Sequence, residues 1–203
     1  MSTKSIEILT EEFNKLPTIG KKTAQRLAFA VLEMEREEVE VFAKALIEVK
    51  DKVRKCSVCG NFSEEEICVI CSDGSRDHQT ICVVEDSKDI SALERAKSYK
   101  GIYHVLHGKI APLSGKSLDQ LNIQTLVERV DKNGVKEVIM ALNPDLEGET
   151  TSMYLTKLLK NFDIRISRIS RIASGIPMGG NLEYSDMATL IKSLEGRRDL
   201  KGE

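Results

Sequence analysis

The first quarter of the chain places hydrophobic residues at the spacing of amphipathic helices. One hydrophobic stripe covers residues 5–14, a second follows residue 21, and a third runs through residues 37–54. Residues 16–20, which read Leu-Pro-Thr-Ile-Gly, interrupt this spacing, and proline and glycine favour turns. The pattern therefore predicts three helices, of which the first two are joined by a tight hairpin.

From residue 81 onward, short runs rich in Val and Ile alternate with segments of helical spacing. The apolar runs predict strands over residues 81–85, 102–106, 137–142 and 164–169, and the intervening segments predict helices over residues 91–99, 119–133 and 149–161. Strands that are separated by helices form βαβ crossovers. We therefore expect a four-stranded, mainly parallel sheet flanked by helices.

Between these two regions, four cysteines form two CxxC pairs separated by eight residues: Cys56, Cys59, Cys68 and Cys71. This spacing predicts one tetrahedral site of four thiolates for Zn²⁺, which leaves no open position for water and is therefore structural. Two disulfides are the alternative, but they would leave Cys82 as a free thiol, and no apolar leader opens the chain. A redox CxxC would normally stand alone at the start of a helix. Cysteine usage thus favours zinc and a reducing cytoplasm, with Cys82 as a small core residue.

Composition limits the remaining function classes. The chain has 203 residues, of which 41% are hydrophobic, as in a globular protein, and no segment could span a bilayer. The formal net charge of −2 argues against a general polyanion binder, and the chain has no Trp and few aromatic residues for base stacking. Any nucleic-acid contact must therefore come from local basic clusters or from several copies of the chain.

The hairpin supplies one such basic cluster. A helix, a Pro/Gly turn and a second helix that opens on two lysines are similar to a helix-hairpin-helix motif, in which backbone N–H groups face a DNA phosphate. We assign phosphate binding to Lys21, Lys22 and Arg26. The motif usually has Gly where Thr18 stands, which affects how closely the backbone approaches phosphate. The alternative is an ordinary helical pair with a solvated basic turn.

Acidic residues follow two of the predicted strands. Glu85 ends the first strand, and Asp145 and Glu147 follow the third. Because ligands of parallel sheets gather beyond the carboxyl ends of the strands, these acids are expected near one edge. Their resemblance to the acids that hold Mg²⁺ in Toprim domains implies a possible magnesium site there, since Mg²⁺ prefers carboxylate oxygens. The arrangement resembles the Toprim domain of topoisomerases, primases and some nucleases, although Asn143 stands where the topoisomerase pattern has its first Asp. The alternative is that the acids only cap the following helix.

In chain order, the hairpin, the cysteines, the Toprim-like region and a tail that reads Gly-Ile-Pro-Met-Gly-Gly-Asn-Leu-Glu-Tyr resemble the RecR family of bacterial recombination mediators. The resemblance covers essentially the whole chain and implies a multidomain α and α/β protein. Its parts would be a helix-hairpin-helix domain over residues 1–54, a four-cysteine zinc finger over 55–78, a Toprim domain over 79–172, and a Walker B-like segment with a C-terminal helix over 173–203. The chain contains no GxxxxGK[ST] phosphate loop, so we infer no ATP hydrolysis.

The resemblance implies a cytoplasmic, nucleoid-associated DNA repair protein that is not an enzyme. Such proteins work with RecO and RecF to load RecA onto single-stranded DNA coated with single-strand-binding protein. They are ring-shaped homotetramers that can encircle duplex DNA, so the expected partners are duplex, single-stranded and gapped DNA, RecO, RecF and further copies of the chain. By motif, Glu85, Asp89 and Glu147 would contribute to RecO binding.

Two other classes of function remain as alternatives. The first is a Toprim enzyme that nicks or relaxes DNA with Mg²⁺ held by Glu85, Asp145 and Glu147, although no tyrosine in the chain corresponds to the topoisomerase nucleophile. The second is a structural zinc protein that assembles with other proteins and does not bind DNA.

Overall fold

Three helices make up the first of two structural units, Met1–Val53. The structure, a computed structural model, describes residues 3–111, 118–132, 134–160 and 166–197. The helices are α1 (Lys4–Asn14), α2 (Lys21–Leu32) and α3 (Arg36–Lys52). They match the three hydrophobic stripes in the sequence. Helix α1 packs against α2, whose small residues Ala24 and Ala28 are fully buried.

The second unit, Arg54–Glu203, begins with a two-stranded antiparallel hairpin and a short helix. These elements are β1 (Arg54–Lys55), β2 (Phe62–Ser63) and α4 (Val69–Ser72). Helix α3 ends two residues before the predicted end at residue 54, because Arg54 already pairs with Ser63 in the hairpin.

A four-stranded parallel sheet follows, with the strand order β4-β3-β5-β6. Its strands are β3 (Asp77–Val84), β4 (Gly101–Val105), β5 (Glu137–Ala141) and β6 (Arg168–Arg171). The helices of this region are α5 (Ser87–Arg95), α6 (Ile123–Lys132), α7 (Leu146–Lys160) and, in the C-terminal tail, α8 (Met187–Glu195). The predicted parallel sheet and flanking helices are therefore confirmed. The carboxyl ends of the four strands lie at one edge of the sheet.

Alternate residues of the central strand β3 fill two different cores, because neighbouring side chains of a strand point to opposite faces. Ile81 and Val83 pack with residues of α6 and α7 on one face. Cys82 and Val84 pack with Ile90 of α5 on the other. The Cys82 thiol is buried as expected, and burial raises its pKa to about 12, so it remains protonated.

Two helices begin earlier than the apolar spacing indicates, because an aspartate caps each of them. Helix α5 begins at Ser87 rather than residue 91, since the Asp86 carboxylate accepts a hydrogen bond from the Lys88 N–H at 3.3 Å. Helix α7 begins at Leu146 rather than residue 149, after Asp145. Polar N-terminal turns carry no hydrophobic period, so the sequence pattern misses them.

The last strand also differs from its prediction over residues 164–169. Strand β6 covers Arg168–Arg171, and its backbone pairs with β5 from Glu137 to Met140. Residues 133 and 161–165 lie outside the described part of the chain. The predicted helices over residues 119–133 and 149–161 and the predicted strand over residues 164–169 are therefore described only in part. No helix that the structure describes is long and apolar enough to cross a membrane.

Candidate functional site

The four cysteines 56, 59, 68 and 71, here called the cysteine cluster, converge on one point. Their sulfur atoms all lie within 4.8 Å of one another, and only Cys71 is partly exposed. Sulfurs bound to zinc at about 2.3 Å stand about 3.8 Å apart in a tetrahedron, so the cluster has the dimensions of a zinc site. All five cysteines of the chain are free of disulfide bonds. Within the described residues, no other group of three or more potential metal ligands of the types Cys, His, Asp and Glu is as close together.

Two tight turns bring the cysteine pairs to this point. The Cys56 N–H donates to the Asn61 carbonyl at 2.7 Å, and the Gly60 N–H donates back to the Cys56 carbonyl at 2.9 Å. Gly60 has a φ of +78°, which favours glycine. The second turn closes with the Ser72 N–H on the Cys68 carbonyl at 3.1 Å. Each CxxC pair is thus held by local backbone bonds.

Backbone N–H groups also point at the sulfurs. The Cys68 N–H lies 3.3 Å from the Cys56 sulfur, and the Asn61 N–H lies 3.4 Å from the Cys59 sulfur. Burial raises the pKa of Cys56, but N–H donors of Cys68, Cys59 and Val58 outweigh burial and lower this pKa to about 7. At Cys56 the N–H donors thus favour the thiolate, which is the form that binds zinc. The contact with the Cys71 sulfur and burial raise the pKa of Cys59, and burial raises the pKa of Cys68, so these two thiols lose their protons when zinc binds.

The three acids Glu85, Asp145 and Glu147, here called the acidic edge, surround the ammonium group of Lys109. The Lys109 Nζ lies 2.5 Å from Asp145 Oδ2, 3.6 Å from Glu85 Oε2 and 3.8 Å from Glu147 Oε2. The lysine side chain is only 13% exposed. A hydrogen bond to Asp145 raises the pKa of Lys109, and the same bond lowers the pKa of Asp145. The lysine therefore occupies the position between the carboxylates where a cation bound by them would lie.

Asn143 and Gly148 shape the loop that carries these acids. The Asn143 side-chain amide donates to Glu85 Oε2 at 2.7 Å, which an aspartate at this position could not do. The Gly148 N–H donates to Asp145 Oδ1 at 2.8 Å, so Asp145 also caps α7. A Cβ on Gly148 would lie 2.0 Å from the Asn143 carbonyl oxygen, so the loop requires glycine there. Both interpretations of Asp145, as helix cap and as member of an acidic cluster, thus apply together.

The fourth predicted acid, Asp89, has a different local role. Its carboxylate accepts a hydrogen bond from the Asp86 N–H at 2.9 Å and so closes a capping box at the start of α5. Asp89 follows the same strand end as Glu85. Its described hydrogen bond stabilises the helix.

The three basic residues assigned to phosphate, Lys21, Lys22 and Arg26, all lie on α2 and are exposed. In the described residues none of them forms an ion pair with a carboxylate. The N-cap of α2 is Gly20, which has no side chain to bond the first N–H groups of the helix. The start of α2 thus combines free backbone donors, the positive end of the helix dipole and unpaired cations.

Thr18 has a backbone conformation that favours glycine, which is the residue that the motif usually has at this position. Its φ is +68°, in the left-handed region, and the Ile19 N–H donates to the Leu16 carbonyl at 3.2 Å. Pro17 at the second position and a positive φ at the third are typical of a type II turn. A β-branched residue is strained there, so the turn forms at a cost in stability.

The parallel sheet with acids at its carboxyl edge, preceded by a four-cysteine knot, defines a Toprim protein with a zinc finger. Four protein-family models match the chain, in this order: the RecR helix-hairpin-helix at residues 6–50, the RecR four-cysteine zinc finger domain at 53–73, the Toprim domain at 79–170 and the RecR C-terminal region at 175–198. Together they account for most of the chain, and the chain belongs to the RecR family. Its domains are those of a DNA recombination and repair mediator, and they fit a non-catalytic one. The cysteine cluster is accordingly the site of one structural zinc ion.

Lys109 was not among the site residues predicted from the sequence. The residue follows β4 by only four positions, so it stands at the same edge of the sheet as the acids. This position in the sequence could have predicted the contact, because a cation that follows one strand of a parallel sheet can reach acids that follow other strands of the same sheet. A single lysine after a strand forms no motif by itself, so the sequence pattern does not distinguish it from a solvent-exposed charge.

Proposed function

We propose that this protein is a DNA-binding mediator of recombinational repair that closes into a ring-shaped clamp, a homotetramer. In this proposal it works with RecO and RecF in the cytoplasm, at the nucleoid, to load RecA onto gapped DNA coated with single-strand-binding protein. Membership of the RecR family supports the general role. Three features of the molecule support the finer role: the DNA contact, the assembly and the partner surface.

The start of α2 is the observation that carries the DNA contact. Lys21, Lys22 and Arg26 are exposed beside backbone N–H groups that no side chain caps. A phosphate at this point would accept from the N–H groups and pair with the lysines. The contact would not depend on base sequence, as a mediator that acts at any gap requires.

The exposed apolar faces support assembly into a ring. No residue of α3 is buried, and Val41 is 69% exposed beside Phe42, Leu46 and Val49. In the C-terminal tail, Met178, Leu182, Tyr184 and Met187 are also exposed. Surfaces of this kind mark interfaces between proteins. Several copies would also combine their small basic hairpins, which a chain of net charge −2 needs for tight DNA binding.

The acidic edge supports partner binding more than catalysis. Lys109 neutralises part of the charge of Glu85, Asp145 and Glu147 and lies where a catalytic Mg²⁺ would have to bind. We therefore propose that the protein is not an enzyme. In this proposal, Glu85 and Glu147, with the nearby Asp89, present carboxylates to basic groups of RecO. Charges of this kind on a surface favour fast and specific association.

The DNA contact is tested by changing Lys21 and Lys22 together to Ala. We expect the affinity for duplex and gapped DNA to fall at least tenfold, and the slope of log affinity against log salt to fall by about 2, one for each phosphate contact. The matched control is the double change Lys44→Ala and Lys50→Ala on α3, which removes the same charge from exposed positions of the same unit. If both double variants lost the same DNA affinity, the effect would come from net charge and not from a specific contact at α2. Unchanged binding in the α2 variant would overturn the assignment.

The assembly is tested by the solution mass of the protein with and without DNA. We expect the wild-type protein to be a tetramer. The Phe42→Glu variant, which places a charge on the apolar face of α3, should form smaller species. A protein that stays monomeric at all concentrations and with DNA present would remove the clamp from the proposal.

A further inference from the structure

Arg129 is a buried cation that lies outside the sites described so far. The residue belongs to α6, and only 5% of its surface is exposed. Its Nη1 donates to the Tyr103 carbonyl of β4 at 2.8 Å and to His104 Nδ1 at 3.1 Å. The other two donor atoms, Nε and Nη2, are buried and have no hydrogen-bond partner among the described residues. A buried guanidinium with unsatisfied hydrogen-bond donors destabilises the fold unless a negative group balances its charge.

His104 does not supply that negative group. Its Nε2 donates to the Asn122 carbonyl at 2.6 Å, so Nδ1 is the acceptor for Arg129. Burial lowers the pKa of His104 to about 3, and the ring is neutral. In the described chain no carboxylate pairs with Arg129. The positive charge is therefore not compensated within the Toprim sheet.

The zinc finger packs on the same stretch of backbone. The Val105 N–H, two residues beyond the Tyr103 carbonyl, donates to the Cys59 carbonyl at 2.8 Å. A Cβ on Gly60 would lie 2.8 Å from the side-chain amide of Asn122. Burial lowers the pKa of Arg129, and attraction to the sulfurs of all four cysteines opposes this effect. A zinc ion held by four thiolates carries two net negative charges, in a site that water barely reaches.

We propose that Arg129 is the counter-ion of the zinc site, a positioning residue on the Toprim domain that compensates the charge of the zinc tetrathiolate from outside its ligand sphere. The Tyr103 carbonyl and the neutral His104 hold the guanidinium in place. Zinc occupancy and the packing of the zinc finger on β4 are thereby coupled. Groups outside the ligand sphere commonly change metal affinity by about 10- to 100-fold.

The test separates the charge of Arg129 from its hydrogen bonds. Arg129→Gln keeps donors for the Tyr103 carbonyl but loses the charge, whereas Arg129→Lys keeps the charge with fewer donors. Zinc affinity of the purified full chain is measured by competition with a chromophoric chelator. We expect about a tenfold loss of affinity in Arg129→Gln and near wild-type affinity in Arg129→Lys. With Co²⁺ in place of zinc, the sulfur-to-cobalt charge-transfer bands should move to lower energy in Arg129→Gln only.

Arg76→Gln is the matched control, because Arg76 is a largely buried arginine whose charge is already paired with Glu94, at 2.5 Å. This variant should lose stability and keep its zinc affinity and cobalt spectrum. If Arg129→Gln binds zinc as tightly as the wild type, or if Arg76→Gln weakens zinc equally, Arg129 is only a packing residue and the proposal fails. If Arg129→Gln does not fold, the Arg129→Lys variant decides, since a tenfold loss of zinc affinity in it would overturn the role of charge.

Discussion

The cysteine cluster and the acidic edge each gather negative groups at one point, but they obtain their balancing cation differently. The acidic edge contains its own cation, since Lys109 lies within 3.8 Å of all three carboxylates. The cysteine cluster takes a zinc ion as its cation, since its four sulfurs lie within 4.8 Å of one another. We therefore expect the cysteine cluster to depend on its metal for folding, and the acidic edge not to.

The difference shows that a cluster of potential ligands is insufficient evidence for a metal site. Thiolates on two CxxC turns are held in place by bonds within each turn, so their spacing in the sequence already specifies the site. Carboxylates at the end of a parallel sheet can bind magnesium, a lysine side chain or basic groups of a partner. Which cation is present depends on a residue that follows another strand of the sheet, here Lys109 after β4.

The largest effect is expected from removing one cysteine ligand. Cys56→Ser or Cys71→Ser should abolish zinc binding and unfold the zinc finger, because structural zinc supplies about 10 kcal/mol of folding free energy in such sites. Metal analysis and thermal unfolding would measure the loss. Cys82→Ala is the control, since it removes a buried thiol from the sheet core and should keep the full zinc content. A zinc-free Cys56→Ser protein that folds and assembles normally would contradict a structural role of zinc.

Replacing Lys109 tests the other half of the comparison. Lys109→Met keeps much of the side-chain volume but leaves three carboxylates without their cation, so we expect Mn²⁺, used as a probe for Mg²⁺, to bind at least tenfold more tightly, about 1.4 kcal/mol. Binding can be followed by the electron paramagnetic resonance of free Mn²⁺. Lys88→Met is the matched control, because Lys88 lies 3.9 Å from Asp86 but is 80% exposed. Equal Mn²⁺ binding by the wild type and Lys109→Met would mean that the lysine does not take the place of a metal.

The same contrast explains how much the sequence could predict. Hydrophobic period and cysteine spacing predicted the helices, the parallel sheet and the zinc ligands, because each depends on neighbours in sequence. The starts of α5 and α7 were missed, since their caps Asp86 and Asp145 carry no hydrophobic signal. Lys109 and Asp145 are 36 residues apart, so their contact depends on how the strands are ordered. Arg129 resembled any charged residue of an amphipathic helix until its burial was known.

The hairpin tests whether a local motif keeps its geometry when one residue departs from the pattern. Thr18 has a left-handed backbone, which costs a β-branched residue about 1–2 kcal/mol. Thr18→Gly removes this cost, but glycine loses more conformational entropy on folding, which offsets part of the benefit. We therefore expect Thr18→Gly to stabilise the first unit by about 1 kcal/mol. Hydrogen exchange of the α1 and α2 amides would report the change. Ala30→Gly, at an exposed helical position of α2, should instead destabilise the unit by about 1 kcal/mol. Destabilisation by both changes would mean that Thr18 makes stabilising contacts that offset its strain.

The smallest effect is expected at the acidic edge as pH falls. Hydrogen bonds from Lys109 and from the Gly148 N–H hold the pKa of Asp145 below its usual range in the folded protein. A carboxyl group of this kind adds stability above its unfolded pKa, near pH 4, and loses that contribution as pH falls through its folded value. Asp145→Asn retains a residue that caps helices well, so the substitution mainly removes the charge.

We therefore expect Asp145→Asn to lower the free energy of unfolding by about 0.5 kcal/mol at pH 7, since solvent screens a half-exposed ion pair. The difference should shrink at pH 3 and disappear at lower pH. Urea unfolding at both pH values would measure it, and repeating the substitution in the Lys109→Met background should give a smaller difference at pH 7. A difference that grows as pH falls would have the wrong sign for a carboxylate stabilised by Lys109. In that case the lysine would not be the cation that balances the acidic edge.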